Sequence, residues 1–331
     1  VQNKKQAAIM APTQVLASQH FEYFSGLSEK MGFRPVLLTG MLKKSERGDV
    51  YRRIQEGAHN LVIGTQSLIQ GDLVFRDLSL VIIDEQHRFG VRERALVDRK
   101  GANPHLLVMT ATPIPRTLAM TVYGDMDVSV IKEFPRGHVP ASARLVPETG
   151  KREVFDFLRA RLSQGDQAFV ICPVIEESEE LDLKNATDMA QKLAKILSPP
   201  CRVGLVHGRL PPQEREAVMA EFRAGRTHVL VGTTVVEVGV HVPGATVMII
   251  EHPERFGLAQ LHQLRGRVGR GSDRGVCFLM AAAPLSENAL SRLKVLADHH
   301  DGFEIARKDL ESRGYGELIG MKQTGLGEVD L

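Results

Sequence analysis

A chain of 331 residues with 43% hydrophobic and 25% charged residues has room for two domains of ordinary globular composition. No apolar run approaches the roughly 18 residues needed to span a bilayer, and from the polar start Val1-Gln2-Asn3-Lys4-Lys5 no secretory leader is expected. Cys172, Cys201 and Cys277 form no Cys-x-x-Cys pair, which argues against disulfides and zinc and fits a reducing cytoplasm; a net charge of +2 means that any nucleic-acid surface must be local.

In chain order, short apolar runs come first at Ala7–Met10, Pro35–Leu38, Leu61–Ile63, Leu80–Ile83 and Leu106–Met109. A second set follows at Ala168–Cys172, Val203–Val206, Val229–Val231, Val247–Ile250 and Val276–Met280. They are rich in Val, Ile and Leu and do not alternate with polar residues, as expected of strands buried on both faces of a parallel sheet. Helical patterns lie between them. Ser45–Gly57 has a candidate Ser cap and a glycine stop, and Pro211–Gly225 opens on prolines and ends on glycine. The alternation predicts an α/β fold with right-handed crossovers. Three prolines and a glycine in Glu133–Pro147 predict a linker, and beyond Pro284 two helical segments, Glu287–His299 and Phe303–Arg313, predict a hairpin. The expected domains are therefore 1–138, 139–285 and 286–331. No internal repeat is visible in the sequence. Val1 in place of Met, and a tail from Gly325 to Leu331 that completes no element, are expected of a chain cut at both ends.

Four segments carry chemistry. Strand Leu80–Ile83 runs into Asp84-Glu85-Gln86-His87, and an acidic pair at the carboxyl end of a buried parallel strand sits where α/β folds bind ligands. One carboxylate there can hold Mg²⁺ and the next can orient or deprotonate a water. Thr110-Ala111-Thr112-Pro113 follows another buried strand, where small hydroxyls can hydrogen-bond the acidic pair. Gly232-Thr233-Thr234 through Val240 offers hydroxyls and backbone N–H groups to a phosphate. Gln263-Leu264-Arg265-Gly266-Arg267-Val268-Gly269-Arg270-Gly271 interleaves arginines with glycines, which is poor core material and good phosphate-binding material. Each of the four is expected just after a strand. Each taken alone also has a bland reading, as a capped turn or a solvated loop. His252, His262, His299 and His300 lack metal-ligand spacing and are expected on the surface or satisfied in the core.

The order of these segments resembles the superfamily 2 helicases in their RecG form. Residues 84–91 and 110–117 resemble motifs II and III, Ala11-Pro12-Thr13-Gln14 resembles motif Ia, and Gly64-Thr65-Gln66 resembles motif Ib. His207-Gly208-Arg209, residues 232–243 and residues 263–271 resemble motifs IV, V and VI. Asp301 through Gly325 is similar to the family's translocation motif, and Gln86 favours RecG over the related transcription-repair coupling motor. The resemblance implies two tandem RecA-like domains with parallel sheets, the first incomplete, plus a C-terminal helical hairpin. It implies ATP and Mg²⁺ as cofactors and branched DNA (forks and Holliday junctions) as partner, for a cytoplasmic monomer away from membranes. By that resemblance Asp84 holds Mg²⁺ through water and Glu85 activates the attacking water, beside Gln86 and His87. Arg267 and Arg270 act as arginine fingers, Thr110, Thr112, Gln263 and Gly239 couple, and Pro12, Thr13, Gly64, Thr65, Thr233 and Thr234 line the nucleic-acid track. The sequence contains no Gly-x-x-x-x-Gly-Lys-[Ser/Thr] loop, so the resemblance implies an ATPase for a longer parent and an inactive fragment when this chain is alone. His241 stands where the family usually carries Asp. Two alternatives stay open: a transcription-repair coupling translocase, and a DNA-binding module that needs no nucleotide.

Overall fold

The computed structural model describes residues 5–40, 42–85, 100–101, 103–111, 126–131, 133, 139–173, 179–197, 201–233, 242–269, 275–282 and 284–313. The chain divides into two compact units, one built on residues 1–112 and the other starting at residue 113.

The first unit is a parallel five-stranded sheet in the order β2-β3-β1-β4-β5. Its strands are β1 (Gln6–Met10), β2 (Pro35–Leu38), β3 (Leu61–Gly64), β4 (Leu78–Ile83) and β5 (His105–Val108). β1 lies in the middle, and its side chains alternate between two cores as the pleat requires. Ala8 and Met10 join Leu38, Ile54, Val62, Val81 and Ile83 on one face. Ala7 and Ile9 join Ala17, Leu61 and Ile63 on the other. A strand covered on both faces has no polar side to show, which is why the run read as continuous apolar sequence. The chain then forms α1 (Gln14–Gly26), α2 (Ser28–Met31) and α3 (Lys44–Gln55). α3 starts earlier than the expected Ser45 cap. The N-cap is Lys43, whose backbone N–H donates to the Glu46 carboxylate at 3.3 Å, and the chain leaves the helix through Gly57 at φ +78°. Glycine suits that left-handed exit because a Cβ there would crowd the carbonyl.

The second unit is a parallel six-stranded sheet in the order β6-β11-β10-β7-β9-β8. Its strands are β6 (Ser142–Pro147), β7 (Gln167–Ile171), β8 (Val203–Val206), β9 (Val229–Gly232), β10 (Ala245–Glu251) and β11 (Val276–Ala281). Helices α4 (Lys151–Ser163), α5 (Glu179–Leu197) and α6 (Pro212–Arg223) connect them, and α7 (Leu258–Arg265), α8 (Glu287–Asp298) and α9 (Gly302–Arg313) complete the described helices. β6 corrects the expected linker, whose last six residues pair with β11 from Val276↔Ser142 to Ala281↔Pro147. An edge strand tolerates a terminal proline and the exposed Arg144, and these residues hid the strand pattern in the sequence. α8 packs on β6 and α7, and α9 packs on α7 and α8, so this helical pair forms part of the second unit. No helix among the described residues is long and apolar enough to cross a membrane.

The two units share the plan that the resemblance implied, down to matching hydrogen bonds that the sequence did not reveal. Taken from one side, the first sheet runs β5-β4-β1-β3-β2 and the second β11-β10-β7-β9-β8. Each middle strand opens on a buried glutamine. The Gln6 amide donates to the carbonyls of Ile54 and His59, both at 2.8 Å, and accepts from Asp77 N–H at 3.0 Å. The Gln167 amide donates to the carbonyls of Phe222 and Thr227 at 2.6 and 2.8 Å. In both units the glutamine adds side-chain hydrogen bonds to carbonyls at and just beyond a helix end, so the crossover is tied to the sheet's middle strand. β3 and β9 each end in Gly-Thr, and Thr65 N–H and Thr233 N–H each point to the last carbonyl of the neighbouring strand, Leu38 and Val206, at 3.4 Å.

Candidate functional site

Because the first sheet is parallel, the carboxyl ends of its strands share one edge, where open α/β sheets gather ligand-binding residues. In sheet order that edge carries Gly64-Thr65 after β3, Pro12-Thr13 after β1, Asp84-Glu85 after β4 and Thr110-Ala111 after β5. Residues scattered over a hundred positions of sequence are thereby aligned.

Asp84 is fixed from three directions. Its backbone N–H donates to Met10 carbonyl at 2.9 Å, extending the β1–β4 ladder by one bond. Its Oδ1 accepts from Glu85 N–H at 2.9 Å, and its Oδ2 lies 2.8 Å from His20 Nε2 on α1. Glu85 turns sharply away with φ +50°, the left-handed region that side chains avoid. A non-glycine residue held there costs about 1–3 kcal/mol, which the surrounding bonds must offset. The Glu85 carboxylate accepts from Ala111 N–H at 3.3 Å. The acidic pair therefore meets the Thr-Ala-Thr segment through a backbone amide, and Thr110 itself is exposed. Gln86, His87 and Thr112 lie outside the described residues.

The four nucleic-acid candidates of this unit have local duties as well. Thr13 caps α1, its Oγ1 accepting from Leu16 N–H at 3.3 Å. Pro12 and Thr65 are half-buried beside it in the strand order. Gly64 is fully buried, and a Cβ there would strike the Leu38 carbonyl, so close backbone approach accounts for that glycine.

The second unit spreads its candidates out. Thr233 follows β9 at the carboxyl edge and is buried. The Arg-Gly-Arg segment does not follow a strand, as had been expected: it follows α7 and precedes β11. Gly269 N–H donates to the carbonyl of Ala245, the first residue of β10, at 3.1 Å. That places the backbone of residues 266–269 at the amino edge, opposite Thr233. Glycine is required there, since a Cβ on Gly275 would meet Gly269 backbone. Gln263 and Arg267 are half-buried, while Thr234, Gly239, His241 and Arg270 lie outside the described residues.

Arg265 corrects the view that this segment is poor core material. It is 3% exposed, and its guanidinium donates to the carbonyls of Leu296 at 2.8 Å, His299 at 2.7 Å and His300 at 3.2 Å. These are the carbonyls left over where α8 ends, and a planar cation with five donors matches them. Burial lowers the Arg265 pKa, and burial followed by Arg265's own charge pushes His262 down to about 4, so His262 is neutral near pH 7. His20 is the other residue that sequence reasoning missed. Only the adjacency of β1 and β4 brings it to Asp84.

A DEAD/DEAH box helicase family model matches residues 1–121, and a helicase conserved C-terminal domain model matches residues 151–272. Together with the tandem parallel sheets, these matches correspond to the two halves of a helicase core. The protein described as ATP-dependent DNA helicase RecG in Escherichia coli O157:H7 is 50% identical over 99% of this chain and 48% of its own length. The protein of the same description in Bacillus subtilis is 48% identical over 98% of this chain and 48% of its own length. A solved structure of RecG bound to a three-way DNA junction superposes with TM-score 0.77 at 44% identity, over 98% of this chain and 41% of that one. The chain is similar to RecG proteins over nearly its whole length and spans about half the length of the curated relatives it matches. These relatives favour RecG over the transcription-repair coupling motor.

Proposed function

We propose that this chain is the motor of an ATP-dependent DNA helicase that remodels branched DNA, such as stalled forks and Holliday junctions, in recombination and repair. The observation that carries the reading is the acidic pair at the carboxyl end of β4, aligned with Thr13 and Thr65 on one edge of a family-matched sheet. The donor set suits Mg²⁺. Asp84 offers hard carboxylate oxygens, half-buried and already oriented, each with a lone pair left for a metal-bound water. Bound Mg²⁺ supplies charge neutralisation at the phosphates of ATP.

The chain's own residues do the rest. Asp84 holds the hydrated cation. Glu85, fixed by Ala111 N–H, orients the attacking water and takes its proton, in company with Gln86 and His87. Arg267 and Arg270 neutralise negative charge that builds on the transferred phosphoryl group. Thr110, Thr112, Gln263 and Gly239 couple hydrolysis to movement. Pro12, Thr13, Gly64, Thr65, Thr233 and Thr234 follow the DNA through its phosphates, which gives affinity without sequence preference and strong salt dependence. The motor works as segments 1–138 and 139–285, with 286–331 acting from its seat on the second, in a monomer that works in the cytoplasm.

The test is ATP hydrolysis by the full-length protein carrying this chain, with and without forked DNA, beside the 331-residue chain alone. Forked DNA should stimulate the full-length protein, and Glu85→Gln should lower its rate by about 10²-fold or more. Hydrolysis by Glu85→Gln at the wild-type rate, or indifference to forked DNA, would refute the assignment.

A further inference from the structure

The carboxyl edge of the first sheet is sorted by strand. The nucleic-acid candidates stand after β3 and β1, and the acidic pair and its amide partner stand after β4 and β5. The border between the two groups runs between β1 and β4, and His20 crosses it. Its Nε2 lies 2.8 Å from Asp84 Oδ2, and both side chains are mostly covered, at 25% and 18% exposure. A carboxylate only accepts, so Nε2 carries the hydrogen. With Glu85 N–H on Oδ1, both oxygens of Asp84 are held, and the carboxylate plane follows His20.

His20 sits on α1, the helix that starts at the Thr13 cap. Thr13 and His20 are two turns apart, roughly 10 Å along a helix that rises 1.5 Å per residue. Ala17, between them and fully buried, seats α1 on the sheet beside β1 and β3. A helix is stiff over this length, so a shift of its first turn is a shift of His20.

We propose that His20 is a positioning residue that ties Asp84 to α1, so that DNA seated at the first turn of α1 sets the carboxylate that holds the cation and thereby makes hydrolysis DNA-dependent. This rests on the reading of Asp84 given under Proposed function, and it assigns to a residue outside the acidic pair the link between DNA contact and the hydrolytic site. The hydrogen bond supplies orientation, and no proton is transferred.

The experiment uses the full-length protein with His20→Ala and His20→Gln, the latter keeping an N–H donor at similar reach. Two quantities are read: the fold-stimulation of ATP hydrolysis by forked DNA, and Mn²⁺ affinity by electron paramagnetic resonance with and without that DNA. His20→Ala should lose about tenfold of the stimulation, in the range typical of coupling between two sites, with KM for ATP within about twofold. It should also lose the tightening of Mn²⁺ on adding DNA. His20→Gln should recover most of both, which a residue needed only for folding would not do. Wild-type stimulation and Mn²⁺ tightening in His20→Ala overturn the proposal, and so does a loss that His20→Gln fails to restore while its melting temperature matches wild type. Failure of the underlying reading has a different mark: Glu85→Gln then hydrolyses ATP normally, whatever His20 does.

Discussion

Replacing Arg265 by Met separates two opposing terms at the most deeply buried charge in the motif VI-like segment. Met keeps most of the length and volume, so the cavity term is small. What is lost is the hydrogen bonding to Leu296, His299 and His300 carbonyls. The buried Leu296 carbonyl left dry costs about 1–3 kcal/mol, while the part-buried carbonyls of His299 and His300 can turn to water. What is gained is relief from holding a cation out of water, a cost visible in the lowered Arg265 pKa. The lost hydrogen bonding outweighs that relief, and Arg265→Met is destabilised by about 1 kcal/mol. Arg265→Lys should lose more, because it keeps the desolvated charge but presents a compact ammonium instead of the fork that spans three carbonyls. The assay is urea unfolding of the chain followed by hydrogen exchange resolved to peptides covering residues 296–301, since a global signal mixes two units. Exchange there should rise in both variants. Equal protection in wild type and Arg265→Met, or Lys milder than Met, would refute the account.

Two further outcomes follow from groups already described. His262 has its pKa lowered to about 4 by burial, below the ordinary 6.5, so between those values the unfolded chain binds a proton that the folded chain refuses. Stability of the second unit is therefore lost as pH falls from 6.5 towards 4, at no more than about 1.4 kcal/mol per pH unit for one proton. His262→Asn should flatten that slope in urea titrations at stepped pH, and parallel slopes would contradict the assignment. At Glu85, φ of +50° reverses the usual ranking of alanine and glycine. Glu85→Gly should be more stable than Glu85→Ala by ~1 kcal/mol, because only glycine enters that region without a Cβ penalty. Both lack the carboxylate, so the comparison isolates the backbone, and a more stable alanine variant would show that the turn relaxes.

The sequence by itself determined ten of the eleven described strands and the identity of the candidate motifs. A strand buried on both faces is mostly apolar, so β1, β3, β7 and β10 were legible as runs, and the acidic pair after β4 was legible as chemistry because carboxylates make poor core. β6 was hidden because an edge strand tolerates Arg144 and a closing proline. The matching bonds of the two units, from the Gln6 and Gln167 side chains and from the N–H groups of Thr65 and Thr233, were hidden because their partners lie far along the chain. Tertiary structure alone decided strand order. Adjacency of β1 and β4 is what puts His20 against Asp84. The return of the chain through α7 places the Arg-Gly-Arg segment at the amino edge and turns Arg265 inward. Each of these depends on which elements become neighbours, and periodicity along a chain records burial of a residue but not the partner that buries it.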